Sequence, residues 1–402
     1  MFQIKLLTRN AIVILFSFSG LVVSFNSYSV TAQTETVAPL AIPENDPLLP
    51  PESVNRELSP LERKRIRTEI DVLEIDANTQ LELGKTESAF SLWFRQLRLY
   101  RAIALETEIA ALARVGEIAW QNNRGAELRV ITQRLDSIYQ EQKIADGLSA
   151  DLLQDLATAY QKTRNIDKAI ATYNDLLAMA RQANNLPLKK TYLETLGELY
   201  LSKFSYSEAA IVYEDLLQIN EEQSSQTATE NYLLNLITIY DYAEDLDKAI
   251  AKKEQLINYY QTLENSEQIG KLKISLADDY QTLNKTDLAI KSYQEAIEIS
   301  QSLQQIALTS EALQKLSDLY QQQDNYSLAI TAYQRLLDIE AQAYNSYGVM
   351  NSYESLGKLY LRLKDYDKAL IAFSQGLEVA QSLDYQVSYF YDLIERVKEE
   401  KE

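Results

Sequence analysis

Residues 193–213 read LETLGELYLSKFSYSEAAIVY, and the spacings inside this stretch decide the fold. In Leu193-x-x-Leu196-Gly197-x-x-Tyr200 the marked positions lie three or four apart and share one helical face. The same holds for Tyr206-x-x-Ala209-Ala210-x-x-Tyr213 in the second half. Ser205 stands in the short polar connection between them, where a hydroxyl can accept from the free N–H groups that open a helix. One helical hairpin is therefore written into the stretch.

Working outward, the final tyrosine of the first motif recurs every 40 residues as Tyr160, Tyr200, Tyr240, Tyr280, Tyr320 and Tyr360, and Trp120 extends the series one step back. Nine residues after each tyrosine stands an alanine: Ala169, Ala209, Ala249, Ala289, Ala329 and Ala369. Thirteen after most of them stands an aromatic: Tyr173, Tyr213, Tyr293, Tyr333 and Phe373. A fixed period of this length marks an array of copied units in which each copy buries its apolar face against its neighbours. The alanines let two helices approach, and the aromatics fill the space between them. The tyrosines are thus expected in the core and serve as a ruler for the other positions.

The pattern resembles the tetratricopeptide repeat (TPR) family, most closely at Leu356-Gly357-x-x-Tyr360 with Ala369 and Phe373. The resemblance implies an all-α, TPR-like α-solenoid, a right-handed superhelix of helical hairpins that binds partners without catalysing a reaction. The family's usual period is 34, so the six extra residues here must lengthen the helices or the links between them.

The ruler divides the chain. Residues 1–32 carry Lys5 and Arg9, an apolar stretch from Ala11 to Phe25 and a polar end closing on Val30-Thr31-Ala32. This is the layout of a Sec-type signal peptide cut after Ala32, which places the protein in the periplasm or outside the cell, with an uncleaved N-terminal anchor as the alternative. Residues 33–60 hold six of the seven prolines and read as an extended linker. Residues 61–146 form two degenerate repeats: Ala89 and Trp93 keep the phase of the first, whereas Arg129 and Gln133 replace the small and aromatic residues of the second. Residues 147–386 hold six clear repeats, and residues 387–402 form a C-terminal capping helix.

Composition narrows the function. Without histidine or cysteine, the chain lacks every triad, zinc site or disulfide built from those residues. No glycine-rich phosphate loop or nucleophile elbow is present, and an enzyme is not expected. The formal charge is −19, with −4 on residues 33–60, −1 on residues 61–146 and −16 on residues 147–402. Such a field disfavours nucleic acid and suits a basic or neutral protein or peptide segment.

In TPR arrays the first helix of each unit lines a concave groove, so the resemblance places Glu194, Glu198, Asp241, Asp278, Glu311, Asp318, Glu354 and Lys358 there as partner-binding residues. No cofactor is expected. Dense carboxylates such as Glu244-Asp245-x-Asp247 and Asp365-x-Asp367 have the oxygen chemistry for Mn²⁺ or Ca²⁺, but helix capping explains both motifs, and weak cation binding is expected only as a distributed property of the acidic array. A short basic stripe, Arg95, Arg98 and Arg101 beside Trp93 and Phe94, offers a separate contact for an acidic partner or lipid headgroups. The resulting expectation is an exported scaffold for assembling an envelope or membrane protein complex, with peripheral contact to that complex. The layout also resembles the periplasmic processing-associated TPR factors of photosystem II assembly, which would link precursor processing with manganese delivery.

Overall fold

The computed structural model describes residues 40, 46–49, 56–222 and 226–402. The signal-peptide reading and much of the proline-rich stretch lie outside them. The order is α1 (Pro60–Glu82), α2 (Thr86–Arg101), α3 (Leu105–Gln121), α4 (Gly125–Ile144), α5 (Ala150–Lys162), α6 (Ile166–Gln182), α7 (Leu186–Ser202), α8 (Tyr206–Glu222), α9 (Gln226–Tyr242), α10 (Leu246–Thr262), α11 (Ile269–Thr282), α12 (Thr286–Ser302), α13 (Ile306–Gln322), α14 (Tyr326–Gln342), α15 (Ser346–Arg362), α16 (Tyr366–Leu383) and α17 (Val387–Lys401). Successive helices pack as antiparallel hairpins into an α-solenoid. Among the described residues no helix is long and apolar enough to cross a membrane.

The 40-residue period has a simple mechanical origin. Helices α6–α10 and α12–α15 are each 17 residues long. A helix of that length followed by a three-residue turn repeats every ~20 residues, so the hairpin turn and most links between hairpins have the same length. The residues beyond the 34 of the usual repeat therefore lengthen helices. Both kinds of turn use one device, a residue with positive φ such as Arg164, Phe204, Asp324 or Tyr344, after which the next N–H returns to a carbonyl five residues back. The anchor tyrosines supply that carbonyl: Asn165 N to Tyr160 O at 2.9 Å, Ser205 to Tyr200 at 2.9 Å and Asn325 to Tyr320 at 2.9 Å. Asp245, Asn325 and Asp365 also cap the following helix through their side chains, whereas the Asn165 side chain does not.

All six repeat alanines are fully buried. Tyr160, Tyr240, Tyr280 and Tyr320 are buried too, and Tyr200 and Tyr360 are partly so. The Leu-Gly step seats the aromatic of the second helix. A Cβ on Gly197 would stand 2.9 Å from the Tyr213 ring, and one on Gly357 would stand 2.4 Å from Phe373. Trp120 departs from this scheme, being 50% exposed. In α3 the glycine falls at Gly116, one residue earlier in the unit than Gly197 and Gly357, and the buried residue three positions on is Ala119. A one-residue slip turns a helix by about 100°, so Ala119 takes the anchor position and Trp120 rotates outward. In keeping with the slip, α3 packs more extensively on α5 than on α4, and α4 buries Ile131, Leu135 and Ile138 rather than Arg129 and Gln133.

The described part of the proline-rich stretch is docked rather than free. Leu48, Leu49 and Leu58 pack against Ile66, Ile70, Leu73 and Leu99 of α1 and α2. Ser59 and Glu62 close a capping box at the start of α1.

Candidate functional site

The first helices of the hairpins carry the eight residues assigned to the partner-binding face, and most of these side chains already have partners. Glu194 of α7 accepts from the Tyr232 hydroxyl of α9 at 2.5 Å. Asp278 of α11 accepts from Tyr293 at 2.5 Å and from Lys315 of α13 at 3.0 Å. Asp318 of α13 accepts from the Tyr333 hydroxyl and from Gln314. Glu354 of α15 accepts from Tyr389 of α17 at 2.8 Å and from Lys358 at 2.5 Å. Glu198 and Glu311 are exposed. Glu74–Arg114 at 2.7 Å between α1 and α3, and Glu117–Lys162 at 3.4 Å between α3 and α5, continue the same cross-linking toward the N-terminus.

These bonds fix carboxylates in place and shift the phenols. Burial first, and then the adjacent Asp278 or Asp318, pushes Tyr293 and Tyr333 well above the ordinary tyrosine range. The hydroxyls therefore remain protonated donors throughout the neutral range.

Asp241 of α9 has a different partner. It accepts from Lys253 of α10 at 3.0 Å, and the same ammonium reaches Asp279 of α11 at 2.7 Å. Lys253 is only 2% exposed and occupies the slot that holds Tyr173, Tyr213, Tyr293, Tyr333 and Phe373 in the other clear repeats. Its surroundings change with it. Ile237 stands where those repeats place Ala157, Gly197, Ala277, Ser317 and Gly357, and Asp279 stands where they place Ala159, Leu199, Ile239, Leu319 and Leu359. The larger Ile237 supplies apolar volume in place of the missing ring. Burial raises the Asp279 pKa, and the bond and charge of Lys253 oppose that rise.

A second set of bonds joins consecutive hairpins. Each anchor tyrosine from Tyr200 onward meets a polar residue 26 positions earlier, on the second helix of the preceding unit. Tyr240 donates to Glu214 at 2.9 Å and Tyr280 to Glu254 at 2.7 Å. Asn174, Gln294 and Gln334 donate to Tyr200, Tyr320 and Tyr360 at 3.4, 3.1 and 3.3 Å. Burial, followed by its bond to Glu254, pushes Tyr280 up to about 12. The sequence carries a signal for this ladder, since positions 174, 214, 254, 294 and 334 hold only Asn, Glu or Gln.

The carboxylate motifs weighed for cations are used structurally. Asp245 and Asp365 cap α10 and α16, while Asp247 and Asp367 bind Lys285 at 3.1 Å and Lys401 at 2.6 Å. Bonds to the side chains of Lys248 and Lys368 hold the Asp245 and Asp365 carboxyls below the usual range. Among the described residues no group of three or more His, Cys, Asp or Glu side chains is arranged to hold a metal ion.

Three family models described as tetratricopeptide repeat match the sequence, over residues 155–224, 271–303 and 308–382. A search of curated proteins finds no match. Among solved structures the chain is similar to BtubC (BKLC) from P. vanneervenii, with 19% identity, 55% of this chain and 92% of that one covered, and a TM-score of 0.38. It is also similar to a signal transduction ATPase with numerous domains and a tetratricopeptide repeat sensor from Pyrococcus horikoshii, with 16% identity, 78% and 50% covered, and a TM-score of 0.42. A Rap protein complexed with Competence and Sporulation Factor gives 13% identity, 83% and 99% covered, and a TM-score of 0.32. Helical hairpins run along the described length, and family matches in three separate segments show that the chain carries tetratricopeptide repeats.

Proposed function

We propose that the protein is a non-catalytic scaffold that holds a basic segment of another protein along the face formed by the first helices. The observation that carries this reading is the row of carboxylates, Glu194, Asp278, Asp318 and Glu354, each fixed by a tyrosine hydroxyl from another helix. A preorganised row of anions loses little side-chain freedom when a cationic ligand arrives, and Glu198 and Glu311 add exposed charge to it. The excess of acid over residues 147–402 speeds and orients the approach of such a partner.

A calorimetric titration with a Lys/Arg-rich peptide and its Glu-substituted counterpart tests the proposal. The basic peptide should bind, with an affinity that falls as salt rises. The variant E194Q/E198Q/D278N/E311Q/D318N/E354Q, checked for helix content, should bind at least about tenfold more weakly, the size expected for losing several charge contacts. Equal binding of both peptides, or unchanged binding by the folded variant, would sink the proposal.

The scaffold reading includes export by the leader at residues 1–32 and service in assembling an envelope or membrane complex. Its support is the charged, apolar and small-residue zoning of the leader. Protein recovered from an envelope extract should begin at Gln33. An N-terminus at Met1 in the cytoplasmic fraction would remove the export element.

A further inference from the structure

The basic stripe on α2 is already occupied by the chain's own N-terminal segment. Asp46 is 9% exposed, with its carboxylate 3.6 Å from Arg95. Arg101 donates to the Leu40 carbonyl at 3.3 Å, and Leu40 is itself buried, in the same apolar cluster as Phe90, Trp93 and Leu97. Asp46 also organises the residues after it: its side chain accepts from Leu48 N at 3.0 Å, and its carbonyl accepts from Leu49 N at 3.1 Å. The resulting turn packs both leucines on Ile66, Ile70, Leu73 and Leu99. Asp46-Pro47-Leu48-Leu49 is thus a two-part plug, with a carboxylate beside the Arg95 guanidinium and two leucines on an apolar floor.

The floor and the charges belong to different residues, so the surface discriminates. An uncharged leucine pair would leave the arginines poorly compensated, and a lone acid would leave the floor wet. Arg95 is also bonded to Glu69 of α1 at 2.7 Å. Burial lowers the Arg98 pKa and Asp46 opposes that shift, as expected where a carboxylate offsets the desolvation of the stripe.

We propose that the first hairpin is a receptor for an acidic, leucine-bearing peptide of the form Asp-x-Leu-Leu, and that residues 46–49 fill it in cis as a tethered competitor. This face is separate from the acidic face of the first helices and has the opposite charge, so it takes a different class of ligand. A ligand tethered close to its site has an effective concentration on the order of millimolar. A free peptide making the same contacts therefore binds weakly until the tethered copy is displaced or disabled.

The probe is a synthetic peptide of residues 44–51, labelled for anisotropy, with a D46N version as control. Binding to the intact mature chain should be weak. Binding to a D46N/L48S/L49S chain should be at least tenfold tighter, and should disappear when R95Q/R98Q is added or when the D46N peptide is used. If the peptide binds the disabled chain no better than the intact one, or survives R95Q/R98Q, the proposal is overturned. Limited proteolysis of the unmodified chain gives a readout that needs no altered protein: excess peptide should speed cleavage within residues 40–55, and an unchanged rate would count equally against the receptor. A concentration-dependent dimer that D46N/L48S/L49S abolishes would replace the free-peptide reading with exchange between copies.

Discussion

Lys253 shows how one residue can leave a repeat's pattern while remaining in its core. Its stem lies in an aromatic slot, and its ammonium joins Asp241 and Asp279. Removing the lysine strands Asp279 in a buried position, and breaking a buried pair in this way costs about 3–5 kcal/mol. Replacing both members with apolar residues of similar shape is often neutral or stabilising by about 1–4 kcal/mol. We therefore expect Lys253→Ala to be strongly destabilising in urea unfolding, and K253M/D279L to match or exceed the parent. A double variant as unstable as Lys253→Ala would show that the pair itself stabilises the fold. Residues of this kind also mark the limits of sequence reading. The break in the aromatic series at position 253 was visible, but its two carboxylate partners come from helices on either side, and only packing brings them together. Trp120 marks a different limit: the 40-residue step chose it as anchor, whereas Gly116, one residue early, carried the correct phase.

At the scale of the element, the turns are as regular as the helices, yet their residues are not those the backbone prefers. The positive-φ position favours glycine because a Cβ there costs roughly 1–2 kcal/mol, and the array uses Arg164, Phe204, Asp324, Tyr344 and Lys364 instead. Tyr344 is the clearest case for substitution, since it is 93% exposed and its side chain contributes little packing. Tyr344→Gly should raise the urea midpoint, with a gain of about 1 kcal/mol after glycine's greater freedom in the unfolded chain is subtracted. A lowered midpoint would mean that the exposed ring makes a stabilising contact. These turns explain why the hairpins were legible in the sequence and the face was only partly so. A polar residue five after each tyrosine announces a turn. Nothing local announces that Tyr232, Tyr293, Tyr333 and Tyr389 donate to carboxylates on other helices, because those bonds span 15 to 38 residues. The acidic sign of the face was readable, while its rigidity depends on geometry.

Over the whole molecule, stability in a solenoid is close to a sum of unit and nearest-neighbour terms, so the thinnest interface decides where cooperativity breaks. From α5 onward that interface lies between α10 and α11, which pack less extensively than any other consecutive pair. The cause is local: α11 starts at Ile269, after a longer link than the three-residue turns elsewhere. Across this junction Lys253 joins Asp279 in the interior, and Tyr280 donates to Glu254 at 2.7 Å and Lys285 pairs with Asp247 at 3.1 Å nearer the surface. A thin interface held by a buried ion pair should yield before its neighbours when the pair is cut. Native-state hydrogen exchange should therefore find α5–α10 and α11–α17 opening as two blocks, with Lys253→Ala widening the difference and separating their urea transitions. The Tyr344→Gly variant provides the control, because its site lies wholly within the second block and should raise that block alone. One common opening free energy for every helix from α5 to α17, in both the parent and Lys253→Ala, would show that the interface couples as strongly as the rest and would remove the junction as a point of division.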